Sequence, residues 1–148
     1  MQELANKLLA VVTAAEPKLR RISPEESTKP ILTGGWSRKQ VLGHLIDSAS
    51  NNHQRFVRAC LEESLEFPSY DQEGCVRLQA PQETDWALLI SLWTEYNRYL
   101  AHIITRLPPN KLETSCHIGK EGSMPLRLVA TGYVNHLLHH LSQIGAAD

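Results

Sequence analysis

Residues 36–48 read Trp-Ser-Arg-Lys-Gln-Val-Leu-Gly-His-Leu-Ile-Asp-Ser. Ser37 and Gln40 make an S-x-x-Q capping box, which satisfies amide groups that a helix start leaves bare. The box follows Gly34-Gly35 at a turn. Beyond it Val41, Leu42, Leu45, Ala49, Phe56, Cys60 and Leu61 recur at helical spacing. No Pro or Gly interrupts the run after Gly43. The stretch predicts a helix from Ser37 to about Ser64, about 40 Å long. A helix that long with one apolar stripe needs partner helices.

Three more segments supply them. The first runs from about Gln2 towards Arg21, with Leu4, Leu8, Leu9 and Val12 as its stripe. Pro17 is expected to kink or end it. Ser23-Pro24-Glu25-Glu26 reads as a short capped turn. The third long helix spans about Thr84 to Leu107, capped by Thr84 and stopped by Pro108-Pro109. Its stripe is Leu89, Trp93, Tyr96, Leu100, Ile103 and Leu107. The fourth spans about Met124 to Gly145, with Ser123 as N-cap and Pro125 in its first turn. Val76-Arg77-Leu78 and Cys116-His117-Ile118 are strand-like but too short to make a sheet. The expectation is an all-α fold, one four-helix bundle forming a single domain over residues 1–148. The 66–82 segment is a long connection holding Pro68, Gly74 and Pro81. It is either a functional loop, a short helical turn or a plain crossover.

The composition narrows the function classes. The chain has 148 residues, with 15 Lys+Arg against 16 Asp+Glu and a formal charge of −1. No global basic field argues for nucleic acid. Hydrophobic residues are 42% and charged ones 21%, the balance of a folded globule rather than a disordered chain. No apolar run approaches the ~20 residues that span a bilayer. The first residues lack a signal-peptide pattern, and the three widely spaced cysteines form no CxxC. A reducing cytoplasm is therefore expected. Dinucleotide, P-loop and GxSxG motifs are missing, and Gly119-Lys120-Glu121-Gly122 lacks P-loop spacing.

Histidine is the unusual entry, with seven in the chain. His136 and His140 stand four apart beside the inward stripe of the last helix. That spacing stacks two imidazoles one turn apart, as two ligands of one metal require. His136 with His139 is a poorer alternative. Two histidines at this spacing also arise by chance, so a third ligand is needed. His44, beside the stripe of the second long helix, is the best candidate. His53, nine residues on, faces the other way, while His102 lies off its helix's stripe and His117 falls in a loop. These three read as ordinary surface or partly buried residues.

His44, Ser48, Asn51 and Arg55 share one helix face. A solvated face is the plain reading. The functional one is a pocket wall, with Arg55 holding a carboxylate or other anion and Ser48 and Asn51 touching substrate. Asp47 is placed either to orient an imidazole from outside the metal's own ligands or as a surface charge. Asp47 with His136 and His140 would instead make a two-His, one-carboxylate iron site.

At this point the chain resembles the DinB-like superfamily. Residues 36–48 match its W-S-x-x-E-x-L-x-H-L-x-D entry helix, with Gln40 where the family has Glu. Tyr133 to Ile144 match its closing H-x-x-H-H-x-x-Q-I helix. The resemblance implies the DinB/YfiT up-down-down-up bundle and a divalent metal on His44, His136 and His140, with open positions for water. Nickel or zinc is the implied metal, with iron or manganese as further options, and a homodimer is implied too. It also implies hydrolase chemistry, or thiol-dependent transferase or isomerase chemistry, on a small molecule. The reacting group is then metal-bound water or a thiolate. A thiol would come from a low-molecular-weight cosubstrate, since Cys60 lies roughly 160° round the helix from His44 and ~24 Å along it. The alternative is a non-catalytic metal- or ligand-binding helical module that dimerises. Neither nucleic acid nor membrane is expected as a partner.

Overall fold

A computed structural model describes residues 1–32, 35–120 and 122–147; Gly34 of the turn before the second long helix lies outside them. Six α-helices are present among the described residues. They are α1 (Gln2–Arg21), α2 (Pro24–Thr28), α3 (Arg38–Leu61), α4 (Gln72–Gln79), α5 (Trp86–Arg106) and α6 (Leu126–Gln143). The four long ones pack as a closed ring in which α1 touches α5 and α6, and α3 touches α5 and α6.

α1 buries Ala5, Leu8, Val12, Ala15 and Leu19, an unbroken 3–4 spacing. It runs through Pro17 instead of ending there. Pro17 and Thr13 are both exposed, so the carbonyl that loses its partner faces water. Ser23 caps α2 by accepting from the Glu26 amide at 3.1 Å. The capping box of α3 is present in both halves. The Gln40 amide donates to Ser37 Oγ at 3.3 Å, and the Ser37 amide donates to Gln40 Oε1 at 2.9 Å. α3 stops at Leu61, three residues before the expected end.

The fold is not purely helical. Ser64–Phe67 (β1), Ser115–Ile118 (β2) and Met124–Pro125 (β3) form a three-stranded sheet in the order β1-β2-β3. β1 and β2 are parallel, with Leu65 opposite Cys116, and β2 and β3 are antiparallel. Leu65 and Cys116 are fully buried, so the sheet seals one end of the core. This overturns the expectation of no sheet. It moves His117 from loop to strand, while Val76-Arg77-Leu78 falls within helix α4.

Two caps also differ from expectation. Asp85 rather than Thr84 caps α5, accepting from the Leu88 amide at 2.8 Å. α6 begins at Leu126, because Met124 and Pro125 are held in β3. Its first amides are satisfied by loop carbonyls, Leu126 to Thr114 and Arg127 to Leu112, both at 3.0 Å. The 66–82 segment is ordered by α4 and a 3-10 turn at 81–83. That turn lies against Gly43, where an added Cβ would stand 2.9 Å from Pro81. No helix among the described residues is long and apolar enough to cross a membrane.

Candidate metal centre

α3 and α6 touch near the α3 N-terminus, and there the sequence places three histidines. Residues 41–45 of α3 are all buried, because α6, α4 and the 81–83 turn enclose this end of the helix. His44 therefore has no exposed surface. Opposite it, His136 and His140 project from successive turns of α6. Ring centroids are 5.1 Å apart for His44–His136, 4.8 Å for His44–His140 and 4.5 Å for His136–His140. Each ring contributes one nitrogen to a group lying within 4.8 Å of one another.

The electrostatics keep these rings neutral. Burial pushes His44 down to about 4, and neighbouring His136 and His140 push it the same way. His136 also falls to about 4, through burial and then His140 and His139. His140 is lowered by burial, against the pull of its hydrogen bond to Gln143. Neutral imidazoles offer lone pairs at neutral pH. His44 Nε2 and His136 Nε2 are 3.2 Å apart. Two nitrogens bound to one cation at about 2.0–2.1 Å stand roughly 3.0–3.4 Å apart. The donor set fits a divalent transition-metal ion.

Outer contacts orient two of the rings. His136 Nδ1 lies 3.5 Å from Ser48 Oγ, and Asn52 Nδ2 donates to the Ser48 carbonyl at 2.8 Å. His140 Nδ1 meets Gln143 Oε1 at 2.8 Å. Trp36 covers His44 with its ring 5.3 Å away, and its indole N–H donates to Glu73 Oε2 at 3.2 Å. His44 Nδ1 is buried without a hydrogen-bond partner among the described residues.

Two cavities open on the cluster. The first, about 500 Å³, is lined by His136, Ser48, Asn52, Arg55, Tyr70, Gln72, Lys120 and Tyr133 among others. The charged residues on its described lining are both cations. Tyr70 is pushed up to about 12, chiefly by burial and then by Asp47, with Arg55 opposing, so its phenol stays a neutral donor. Tyr133, raised by burial, donates its hydroxyl to Asn97 Oδ1. The second cavity, about 860 Å³, is lined by His140, Gln143, Trp36, Gln40, Gln72 and Glu73 with apolar neighbours. Gln72 belongs to both.

The other residues singled out from sequence fall as follows. Ser48 and Arg55 line the first cavity, and the Arg55 guanidinium sits 5.1 Å over the Phe67 ring. Asn51 lines neither cavity; its amide donates to the Asp47 carbonyl at 3.0 Å. Asp47 accepts from Gln79 Nε2 at 2.6 Å, its other oxygen is buried without a hydrogen-bond partner among the described residues, and it makes no hydrogen bond to His44. His139 joins the network through Gln143, with Nε2 atoms 3.0 Å apart. His53 pairs with Tyr96 at 3.1 Å and His102 stacks on Tyr99. His117 lies 3.9 Å from Glu66. None of these three joins the cluster.

Sequence reasoning missed Asn52, Tyr70, Gln72, Lys120 and Trp36 as site residues. One signal was available: Asp71, which caps α4 by accepting from the Gly74 amide at 2.9 Å, marks a helix start inside the 66–82 segment. None of the three cysteines lines either cavity. Burial raises the thiols of Cys60 and Cys116, so neither is a ready thiolate.

Fold and site together define a helical-bundle protein with an inward-facing trio of histidines at one end. The comparisons with known proteins agree with that class. The family model of the DinB superfamily matches residues 3–144, and the chain belongs to that superfamily. YfiT of Bacillus subtilis is 25% identical over 148 residues, covering 97% of this chain and 83% of YfiT. A Bacillus licheniformis relative is 28% identical over 126 residues, covering 84% of this chain and 72% of the relative. Both are provisionally named metal-dependent hydrolases. The solved structure of YfiT, described as a probable metal-dependent hydrolase with an unusual four-helix bundle topology, superposes with a TM-score of 0.81 at 23% identity. That match covers 98% of this chain and 86% of YfiT. A mycothiol-dependent maleylpyruvate isomerase superposes at 0.80 with 12% identity, covering 97% of this chain and 60% of the isomerase. These two likenesses concern the fold. The chain is mostly helical and shares that bundle, and it carries a small three-stranded sheet.

Proposed function

We propose that this protein is a metal-dependent enzyme that adds a low-molecular-weight thiol across the double bond of a small unsaturated carboxylate, the sulfur bonding to one carbon and the thiol proton passing to the other. His44, His136 and His140 would hold one divalent ion, zinc or nickel. The observation that carries the reading is the position of the cluster between two cavities of unlike chemistry. His136 belongs to a cavity with two cations, and His140 to one with a carboxylate, an indole and amides.

When bound, the ion would act as a Lewis acid that lowers the pKa of a thiol or water reaching its open position. Arg55 and Lys120 would hold the carboxylate, and the neutral Tyr70 phenol would donate to a substrate oxygen. Ser48 would steady His136 while lining the same cavity. Asn51 and Asp47 would support α3 from behind, with Asp47 fixing Gln79 rather than a ring. The second cavity would admit the thiol, a role that the chain's own cysteines are not placed to fill. The homodimer implied by family resemblance remains part of this proposal, and sedimentation equilibrium tests it.

A specific observation favours hydrolysis as a second reading: the relatives named above carry that description. The test begins with protein purified without chelator. Metal analysis is expected near one equivalent, lost in His136→Ala and His140→Ala. A panel of small thiols with an unsaturated carboxylate then separates the readings. Turnover requiring both thiol and metal supports thiol addition. Metal-dependent cleavage of an ester or amide without thiol supports hydrolysis. Bound metal with neither activity overturns both in favour of a binding module.

A further inference from the structure

We propose that Gln143, steadied by His139, is the positioning residue of the histidine centre. Its side-chain carbonyl accepts the Nδ1 proton of His140, which leaves the Nε2 lone pair of His140 facing His44 and His136. The inference rests on the reading of the three histidines as a metal centre and concerns how one of them is made ready.

His140 is the ring least held by packing. His44 is held in place by full burial, its Nδ1 without a hydrogen-bond partner among the described residues, and His136 has Ser48 beside its Nδ1. His140 stands in the last turn of α6, partly exposed, on the rim of the second cavity. A neutral imidazole carries its proton on one nitrogen, and the partner of that nitrogen selects which. Gln143, three residues on along the same helix face, places Oε1 2.8 Å from His140 Nδ1. A carbonyl oxygen only accepts, so Nδ1 carries the proton and Nε2 keeps its lone pair.

The amide needs its own orientation, because a flipped carboxamide would present N–H to Nδ1. The proton of His140 would then sit on Nε2 and turn a donor towards the other rings, closing the centre to a cation. His139 opposes the flip. With its own proton on Nδ1, His139 Nε2, 3.0 Å from Gln143 Nε2, accepts from the amide nitrogen, and the pair then favours the carbonyl on the His140 side. The adjacent histidines 139 and 140 thus have different tasks, one as candidate ligand and one as the anchor of the residue that sets the ligand's tautomer. Outer partners of this kind typically change metal affinity about 10–100-fold.

Gln143 and His139 are both exposed, so variants there leave the core intact. The test compares wild type with Gln143→Leu, Gln143→Glu and His139→Ala by zinc competition titration, melting temperature and nitrogen-15 NMR of the histidine side chains in zinc-free protein. Wild type is expected to carry the His140 proton on Nδ1. Gln143→Leu should lose about 10–100-fold in zinc affinity with its metal-free melting temperature unchanged. Gln143→Glu, which still accepts from Nδ1, should recover most of that affinity, and His139→Ala should fall between. Wild-type zinc affinity in Gln143→Leu, or a His140 proton found on Nε2 in wild type, overturns the proposal. If wild type binds no zinc, the metal reading has failed, and the NMR tautomer of His140 still decides the role of Gln143.

Discussion

His44 and His136 present ring nitrogens 3.2 Å apart, His44 fully buried and His136 on the wall of the first cavity. Their depressed pKa values make metal-free stability depend on pH. Both titrate near 4 in the folded chain against the usual 6.5. Between those values the unfolded chain binds more protons, so stability falls as pH drops from about 6.5 towards about 4. Above 6.5 both states are neutral and the contribution is level. Melting curves taken in EDTA across that window should show the loss, and a His44→Leu, His136→Leu double variant should flatten it. Arg55 is the second residue-scale case. Replacing it with Gln removes a charge-assisted bond worth about 1.5–3 kcal/mol, so binding of a small dicarboxylate such as succinate should weaken roughly 10–100-fold by calorimetry. Arg55→Lys should not restore it fully, since the planar fork is lost.

Among the elements, the short ones decide more than their length suggests. α4 and the 81–83 turn close over the start of α3 and supply Gln72 and Glu73 to the cavities. Their approach depends on Gly43, where a methyl group would collide with the Pro81 ring at 2.9 Å. Gly43→Ala should therefore destabilise by about 1–3 kcal/mol despite Ala's better helix propensity. Denaturant midpoints would show it, and an unchanged midpoint would mean that the turn yields freely. Lys39 holds the same turn from α3, its buried ammonium donating to the carbonyls of Gln82 and Thr84. The long helices were legible because each repeats its apolar signal over five or more turns. Both halves of the Ser37–Gln40 cap were legible for the same local reason. The strands were not. β1 and β2 are four residues each and β3 is two, too short for a period of two to emerge. The β1–β2 pairing joins residues about 50 positions apart, as Leu65 with Cys116.

For the whole molecule, a bound ion should stabilise the fold, because the histidines converge only when α3 and α6 are packed. A ligand at 100 times its Kd adds about 2.7 kcal/mol, and for a chain of this size that raises the melting temperature by roughly 5–10 °C. EDTA should remove the increment, and zinc or nickel should restore it in wild type but not in His136→Ala. The near-zero net charge leaves little long-range steering. Any preference for an anionic substrate then has to come from the Arg55–Lys120 wall, and a mild ionic-strength dependence is expected for its association rate.

Sequence alone determined the four long helices, the Ser37 cap and the histidine pair one turn apart on α6. Each is a local matter of hydrogen bonds and periodicity within a few turns. It also brought His44 forward as third member, since a helical face can be counted from any residue on it. Only the tertiary structure decided that residues 41–45 are buried all round, which cavity each histidine meets, and that Asn52 rather than Asn51 turns towards the first. It alone drew Tyr70, Gln72 and Lys120 to the site from segments with no periodic signal. Those outcomes depend on how helices and loops far apart in the chain exclude water from one another, and no local pattern encodes that.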